Sequence, residues 1–206
     1  MKTVVAMLVT FTVLFGVTLS LQAETTSTEK IAKETMQYVS QGSAVYLKRD
    51  YKQAIHLYSK ALELEKREPT LEKNIWRVLV DNLGMSYGIS GDNKKAKEIF
   101  EYGVSKDANY PLFYYNLACA HAEMNDLDNA IKNLKVAFQY QTNMMPGERL
   151  PNPATDDSFS RFLKNEKFQQ ALEEIGRASI NEAVVELLVA IDHPIQGVFQ
   201  WMQQNW

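Results

Sequence analysis

The sequence has 206 residues, 46% of them hydrophobic and 23% charged, with only 15 glycines and prolines together. That is enough chain for one domain with a core or for a short array of repeats with caps, and it excludes a disordered or collagen-like polymer. The net charge is −3, and the densest lysine cluster, Lys94, Lys95 and Lys97, sits beside Glu98, so no basic face is offered to nucleic acid.

At the start of the chain, Lys2 precedes an apolar run over residues 4–21, followed by Gln22, Ala23 and a Thr-rich acidic stretch. This order has the form of a secretory signal peptide, residues 1–23, cut after Ala23 or, in competition, after Ser20. The run also nears the length that spans a bilayer, so an uncleaved anchor is the alternative. A cut chain is periplasmic or secreted; an uncut one is held at the inner membrane, facing the periplasm. Cleavage removes Lys2 and no acid, leaving 21 basic against 25 acidic side chains and a charge of −4. Cys119 is the only cysteine, so the exported chain relies on packing rather than on intrachain disulfides. Within Leu117-Ala118-Cys119-Ala120 it reads as a packing residue, a reactive or bridging thiol being the other possibility.

Three segments then each read as a helix, a short turn and a second helix. In GSAVYLKRDYKQAIHLYSKAL, Gly42 is followed by Ala54, Tyr58 and Ala61. In NLGMSYGISGDNKKAKEIFEYG, Leu83, Gly84 and Tyr87 are followed by Ala96, Phe100 and Gly103. In NLACAHAEMNDLDNAIKNLKVA, Leu117, Ala118 and His121 are followed by Ala130, Leu134 and Ala137. The small residue of the first helix recurs at 42, 84 and 118, and the alanine opening the second at 54, 96 and 130, so both series step by 42 and then by 34. The longer step carries eight extra residues, 69–76, which lengthen one connection or helix. Small residues let paired helices approach at their crossings, large ones such as Tyr58, Phe100 and Leu134 fill the gaps, and Arg49-Asp50, Gly91-Asp92 and Asn125-Asp126 form the turns.

This 34-residue period resembles that of the tetratricopeptide repeat family. The resemblance covers residues 35–142, in units of about 35–68, 77–110 and 111–144, within an array over 24–145. It departs from the family pattern at Gln41 and Val45, and no unit ends in the customary proline. The resemblance implies an all-α, right-handed superhelical array of helix-turn-helix units that binds a peptide or helix in its concave groove, and it implies no chemistry. It also implies a bacterial envelope protein, with a membrane-tethered assembly factor as the alternative role.

Residues 146–206 read as closing and capping helices. A turn-rich connection over 144–156 carries Pro146, Gly147, Pro151 and Pro153. The stretch DDSFSRFLKNEKFQQALEEIG resembles a closing segment of the same family, with Asn165 capping a helix that ends at Gly176. A further helix starts at Ser179, with Glu182 in capping-box spacing and a stripe of Ile180, Ala183, Val184, Leu187, Leu188 and Ile191, and stops at Asp192-His193-Pro194. A last helix over 195–206 carries Phe199, Trp201 and Trp206; it either caps the array or lies in its groove.

No catalytic constellation emerges. His56, His121 and His193 fall in different segments, Cys119 and His121 diverge on one helix, Asp126 and Asp128 suit a helix start, and Gly88 and Gly91 lack a phosphate-loop lysine. No enzyme activity, metal, cofactor or small-molecule substrate is expected, an unrecognised hydrolase site being the alternative; the partner is a protein or peptide. The resemblance places the groove on three first helices, at Met36, Val39, Ser43 and Tyr46, at Val78, Asp81, Asn82 and Met85, and at Leu112, Tyr115, Asn116 and Cys119. Some family members clamp an acidic C-terminal tail; those clamp positions are Val39, Ser43, Asn82, Leu112 and Asn116 here, and only Asn82 matches.

Overall fold

The computed structural model describes residues 27–178. The expected signal segment, 1–23, and the two expected helices after residue 178 lie outside the described residues. Among the described residues every regular element is helical and none is a strand. The chain divides into two compact units, one ending at Gly103 and the other starting at Val104.

The first unit contains α1 (27–47), α2 (Tyr51–Arg67), α3 (Lys73–Ile89) and most of α4 (Asn93–Lys106). The same turn joins α1 to α2 and α3 to α4. Arg49 (φ 61°) and Gly91 (φ 87°) take the left-handed region. The next amide can then reach back, Asp50 N to Val45 O at 3.0 Å and Asp92 N to Tyr87 O at 3.0 Å, satisfying carbonyls that a helix end leaves open. Each aspartate also starts the following helix: its Oδ1 accepts from the amide of Gln53 at 3.1 Å or of Lys95 at 3.0 Å.

Within each pair a missing side chain meets a ring. A Cβ on Gly42 would lie 2.7 Å from the Tyr58 ring, and one on Gly84 would lie 2.5 Å from the Phe100 ring, so glycine is what admits the ring at each crossing. Both contacts join positions 16 apart, the spacing read from the repeats.

The eight extra residues go mainly into helix rather than loop. α2 has 17 residues against 14 in α4, and α3 has 17 against 13 in the corresponding helix of the third repeat. α3 therefore begins at Lys73, ahead of the expected 77. Glu65, buried at 6% exposure, secures the connection: its Oε2 accepts from Thr70 N at 2.9 Å and Leu71 N at 3.1 Å. Trp76, on the added turn, meets the Tyr102 ring edge-on at 6.1 Å, and the Lys66 ammonium lies 4.2 Å over that ring.

The second unit contains α5 (Pro111–Glu123), α6 (Leu127–Gln139), a 3-10 segment (Asp157–Phe162) and α7 (166–178). Pro111 opens α5, where a missing N–H costs no helical bond. The α5–α6 turn repeats the pattern, with Asn125 at φ 62°, Asp126 N to His121 O at 2.8 Å, and Asp126 Oδ1 accepting from Asn129 N at 3.3 Å. Ala118 and Leu134 are fully buried in one core that Phe159, Phe162 and Phe168 complete. In the connection, Glu148 Oε2 accepts from the Tyr110 hydroxyl at 2.7 Å and from Met145 N at 3.2 Å. Asn165 caps α7 as expected, its Oδ1 accepting from Phe168 N at 3.2 Å. The expected stop at Gly176 is corrected: helix continues to residue 178, because a lone glycine weakens a helix by about 1 kcal/mol without ending it.

Candidate functional site

In the first unit the expected groove positions surround one hydroxyl. Tyr58, fully buried on α2, donates to Ser43 Oγ of α1 at 3.0 Å and accepts from Asn82 Nδ2 of α3 at 3.0 Å. Ser43 in turn donates to the Val39 carbonyl at 3.0 Å. The amide of Asn82 is thus part of a bond joining helices. Tyr46 stands edge-on to Tyr51 at 5.6 Å and to Tyr58 at 6.5 Å. Burial, and after it the Asp81 carboxylate, push its hydroxyl up to about 12, so it is a neutral donor at any physiological pH.

Met36 is 43% exposed, and Tyr46, Val78, Asp81, Asn82 and Met85 are half-buried, so these six share a face that is accessible in part. Val39 is corrected: at 6% exposure it belongs to the core.

In the second unit the expected positions are covered to different degrees. Tyr115 and Asn116 are buried, so for these two a place on an open groove is corrected, while Leu112 and Cys119 pack half-buried against the core. At Tyr115 and Cys119 the cover is the chain's own segment 156–162. The Tyr115 hydroxyl donates to Asp156 Oδ2 at 3.0 Å, and Cys119 Sγ lies 3.9 Å from the same oxygen. The Phe159 ring stands edge-on to Tyr115 at 6.1 Å and stacks on Phe168 at 5.5 Å. Asp156 is fixed from the other side by the amide of Ser158, which it accepts at 3.0 Å. The tail read as either capping the array or lying in its groove, 195–206, lies outside the described residues.

The side chains with chemical potential have structural partners. Burial, followed by the Asp156 carboxylate, pushes the Cys119 thiol well above its ordinary range and keeps it protonated. His121 is buried, with Nδ1 3.0 Å from Asp126 Oδ2 at the turn. Among the described residues no three of His, Cys, Asp and Glu gather to hold a metal ion, and no helix is long and apolar enough to cross a membrane.

Sequence reasoning missed two residues. Glu65 sits in LELEKREPT, which has the look of a solvated charged helix end, and nothing local marks its burial. Asp156 had a readable signal, since an Asp two residues ahead of Ser158 suits an Asx cap, but its bond to a tyrosine 41 positions away had none.

No curated protein matches the chain. Among solved structures it is similar to the TPR domain of Sgt2 from Aspergillus fumigatus, at 24% identity and a TM-score of 0.48, covering 70% of this chain and 82% of that one. Residues 112–143, the α5–α6 hairpin, match the family model of the tetratricopeptide repeat.

Proposed function

We propose that this chain is a non-catalytic protein-interaction scaffold of the extracytoplasmic space, and that it takes an amphipathic helix or an extended peptide on the α1–α3 face of its first unit. The carrying observation is a difference in exposure: on α5 Tyr115 and Asn116 are buried, Tyr115 against Asp156 and Phe159, whereas on α1 and α3 Met36 is 43% exposed and Tyr46, Asn82 and Met85 keep part of their surface. Methionine and tyrosine suit such a role because they offer adaptable apolar contact beside polar points, here Asp81 and Asn82. The thiol of Cys119 and the ring of His121, engaged with Asp156 and Asp126, support a structural rather than a catalytic reading. Export rests on the signal-like residues 1–23.

Photocrosslinking tests the face. A photoreactive residue at Met36 or Met85 in the mature chain should capture a defined protein from envelope extract, and the capture should vanish with Tyr46→Ala while surviving Leu163→Asp. Equal capture from Met36 and from the exposed Leu163 would refute the assignment. Because the Asn82 amide is engaged with Tyr58, an acidic C-terminal tail peptide of the EEVD type should show no saturable binding by calorimetry. Intact mass after fractionation tests export: loss of the first 23 residues from a soluble envelope fraction is expected, and a full-length chain in the membrane fraction would support the tethered form instead.

A further inference from the structure

Around the turn of each hairpin, equivalent positions of the three repeats carry different chemistry. One position holds Leu47, Ile89 and Glu123, another Lys52, Lys94 and Asp128, each series stepping by the same 42 and 34 residues. In the third repeat both residues are acidic and ion-paired, Glu123 with Arg161 at 3.2 Å and Asp128 with Lys167. The hairpin therefore requires neither an apolar nor a basic residue at these places. Yet in the first unit Leu47 is 82% exposed and Ile89 51%.

The cations stand against local preference. Lys52 and Lys94 lie in the first turns of α2 and α4, where there is no acid; a helix start carries partial positive charge and favours an acid such as Asp128. Arg49 is left-handed where the other repeats have Gly91 and Asn125. Lys48, Arg49, Lys52 and Lys94 are exposed, and no carboxylate among the described residues pairs with them. Residues 47–52 and 89–95 together hold five basic and two acidic side chains, a charge of +3 in a chain of −3. Both acids, Asp50 and Asp92, are engaged by the amides they cap.

The two turns lie at one end of the first unit. Short connections on either side of α2 set it antiparallel to both α1 and α3, and Tyr58 ties Ser43 to Asn82, so α1 and α3 run side by side toward Leu47 and Ile89. We propose that this turn end, residues 47–52 and 89–95, docks on an anionic lipid surface. Leu47 and Ile89 enter the headgroup region, and the cations meet lipid phosphates. A nucleic-acid backbone would match the cations but leave the two apolar tips in water, whereas a bilayer surface rewards both. The surface shares no residue with the α1–α3 face, so its test is independent of the proposed function.

The test uses the full chain with an environment-sensitive fluorophore on Ser90→Cys or, separately, on Arg67→Cys, exposed positions at opposite ends of the first unit. Vesicles of phosphatidylcholine, alone or mixed in equal parts with phosphatidylglycerol, are titrated in. The expected result is a blue shift from position 90 with the mixed vesicles only, and none from position 67. A cation near an anionic surface is worth about fivefold in affinity, so Lys52→Asp/Lys94→Asp should weaken the binding about tenfold or more, and Leu47→Glu/Ile89→Glu should weaken it as well. These variants carry the third repeat's own residues, so their helix content by circular dichroism should hold. No shift, equal shifts from both positions, equal affinity for pure phosphatidylcholine, or unchanged affinity in both double variants would overturn the proposal. A shift raised by lipid-free envelope proteins and not by vesicles would overturn it too, in favour of an acidic protein partner.

Discussion

Replacing Gly84 and Gly88 by alanine, one at a time, adds the same methyl group to α3 at sites one helical turn apart, and the two changes should have opposite signs. In a helix interior alanine is favoured over glycine by about 0.8–1.0 kcal/mol. At Gly88 the new Cβ would lie 3.7 Å from the Ala96 Cβ, an ordinary contact, so Gly88→Ala should stabilise by about 0.5–1 kcal/mol. At Gly84 it would lie 2.5 Å from two atoms of the Phe100 ring, whereas carbon pairs settle near 3.5–4.0 Å, a shortfall of about 1 Å. Phe100 is only 2% exposed and its ring is rigid, so relief requires moving the ring into filled space or parting the two helices. Overpacking of this kind costs about 1–3 kcal/mol, and a contact this short on a rigid ring belongs toward the upper end, so a net loss of up to about 2 kcal/mol remains after the propensity gain. Phe100→Leu should relieve the clash, giving a favourable coupling of about 0.5 kcal/mol or more with Gly84→Ala. Urea denaturation followed by circular dichroism, with slopes held equal, measures all four variants. Midpoints that move the same way for both alanines, or a Phe100→Leu effect that simply adds, would refute the crossing register.

The shared turn predicts that Arg49→Gly stabilises by about 1 kcal/mol, since Arg49 holds a left-handed conformation (φ 61°), and that Gly91→Ala, at φ 87°, loses about the same; a lower urea midpoint for Arg49→Gly would contradict this. Asp126 is held below its ordinary value of 3.8, first by the Asn129 side chain and then by the Asn129 amide and His121. Its contribution is therefore full above that value and fades as pH falls through the lower folded-state pKa, so the cost of Asp126→Ala, about 1 kcal/mol at pH 6, should shrink toward pH 2 in urea midpoints. Cys119 should react with iodoacetamide at pH 8 far more slowly in the folded chain than in urea, and Asp156→Ala should speed that reaction by removing both cover and negative charge. Equal rates in folded and unfolded chain would show that the thiol is not covered as described.

The repeat architecture was legible because its determinants are local. Gly42 and Tyr58, or Gly84 and Phe100, recur at one spacing within single hairpins, and Asp50, Asp92 and Asp126 mark where second helices begin. Even Arg49, whose residue type gives no hint of a left-handed backbone, is found by its alignment with Gly91 and Asn125. The candidate face was legible only in part. Helical periodicity assigns Val39, Tyr115 and Asn116 to a side of their helices, but it does not reveal which sides other elements cover, and these three are buried. The cover on α5 comes from Asp156, where the turn-rich connection ends, and from Phe159 in the closing segment; both meet α5 through contacts about 40 positions apart that no local pattern encodes.

The hydroxyl of Tyr58 has a further consequence for how the first unit stays aligned. Hydrogen bonds run in one direction along it, from the Asn82 amide to Tyr58, from Tyr58 to Ser43, and from Ser43 to the Val39 carbonyl. Apolar contacts between helices tolerate a slip, since one methyl substitutes for another, but this line of donors has a single alignment in which every proton finds its acceptor. A slip of α3 by one turn would strand the Asn82 amide and leave the tyrosine oxygen without its donor. The line therefore acts as a vernier, reinforcing across three helices the alignment that the Gly42–Tyr58 crossing sets between two of them. Its loss in Asn82→Leu should appear less in the melting temperature than as doubled resonances from α1 and α3, two alignments coexisting where the native chain keeps one.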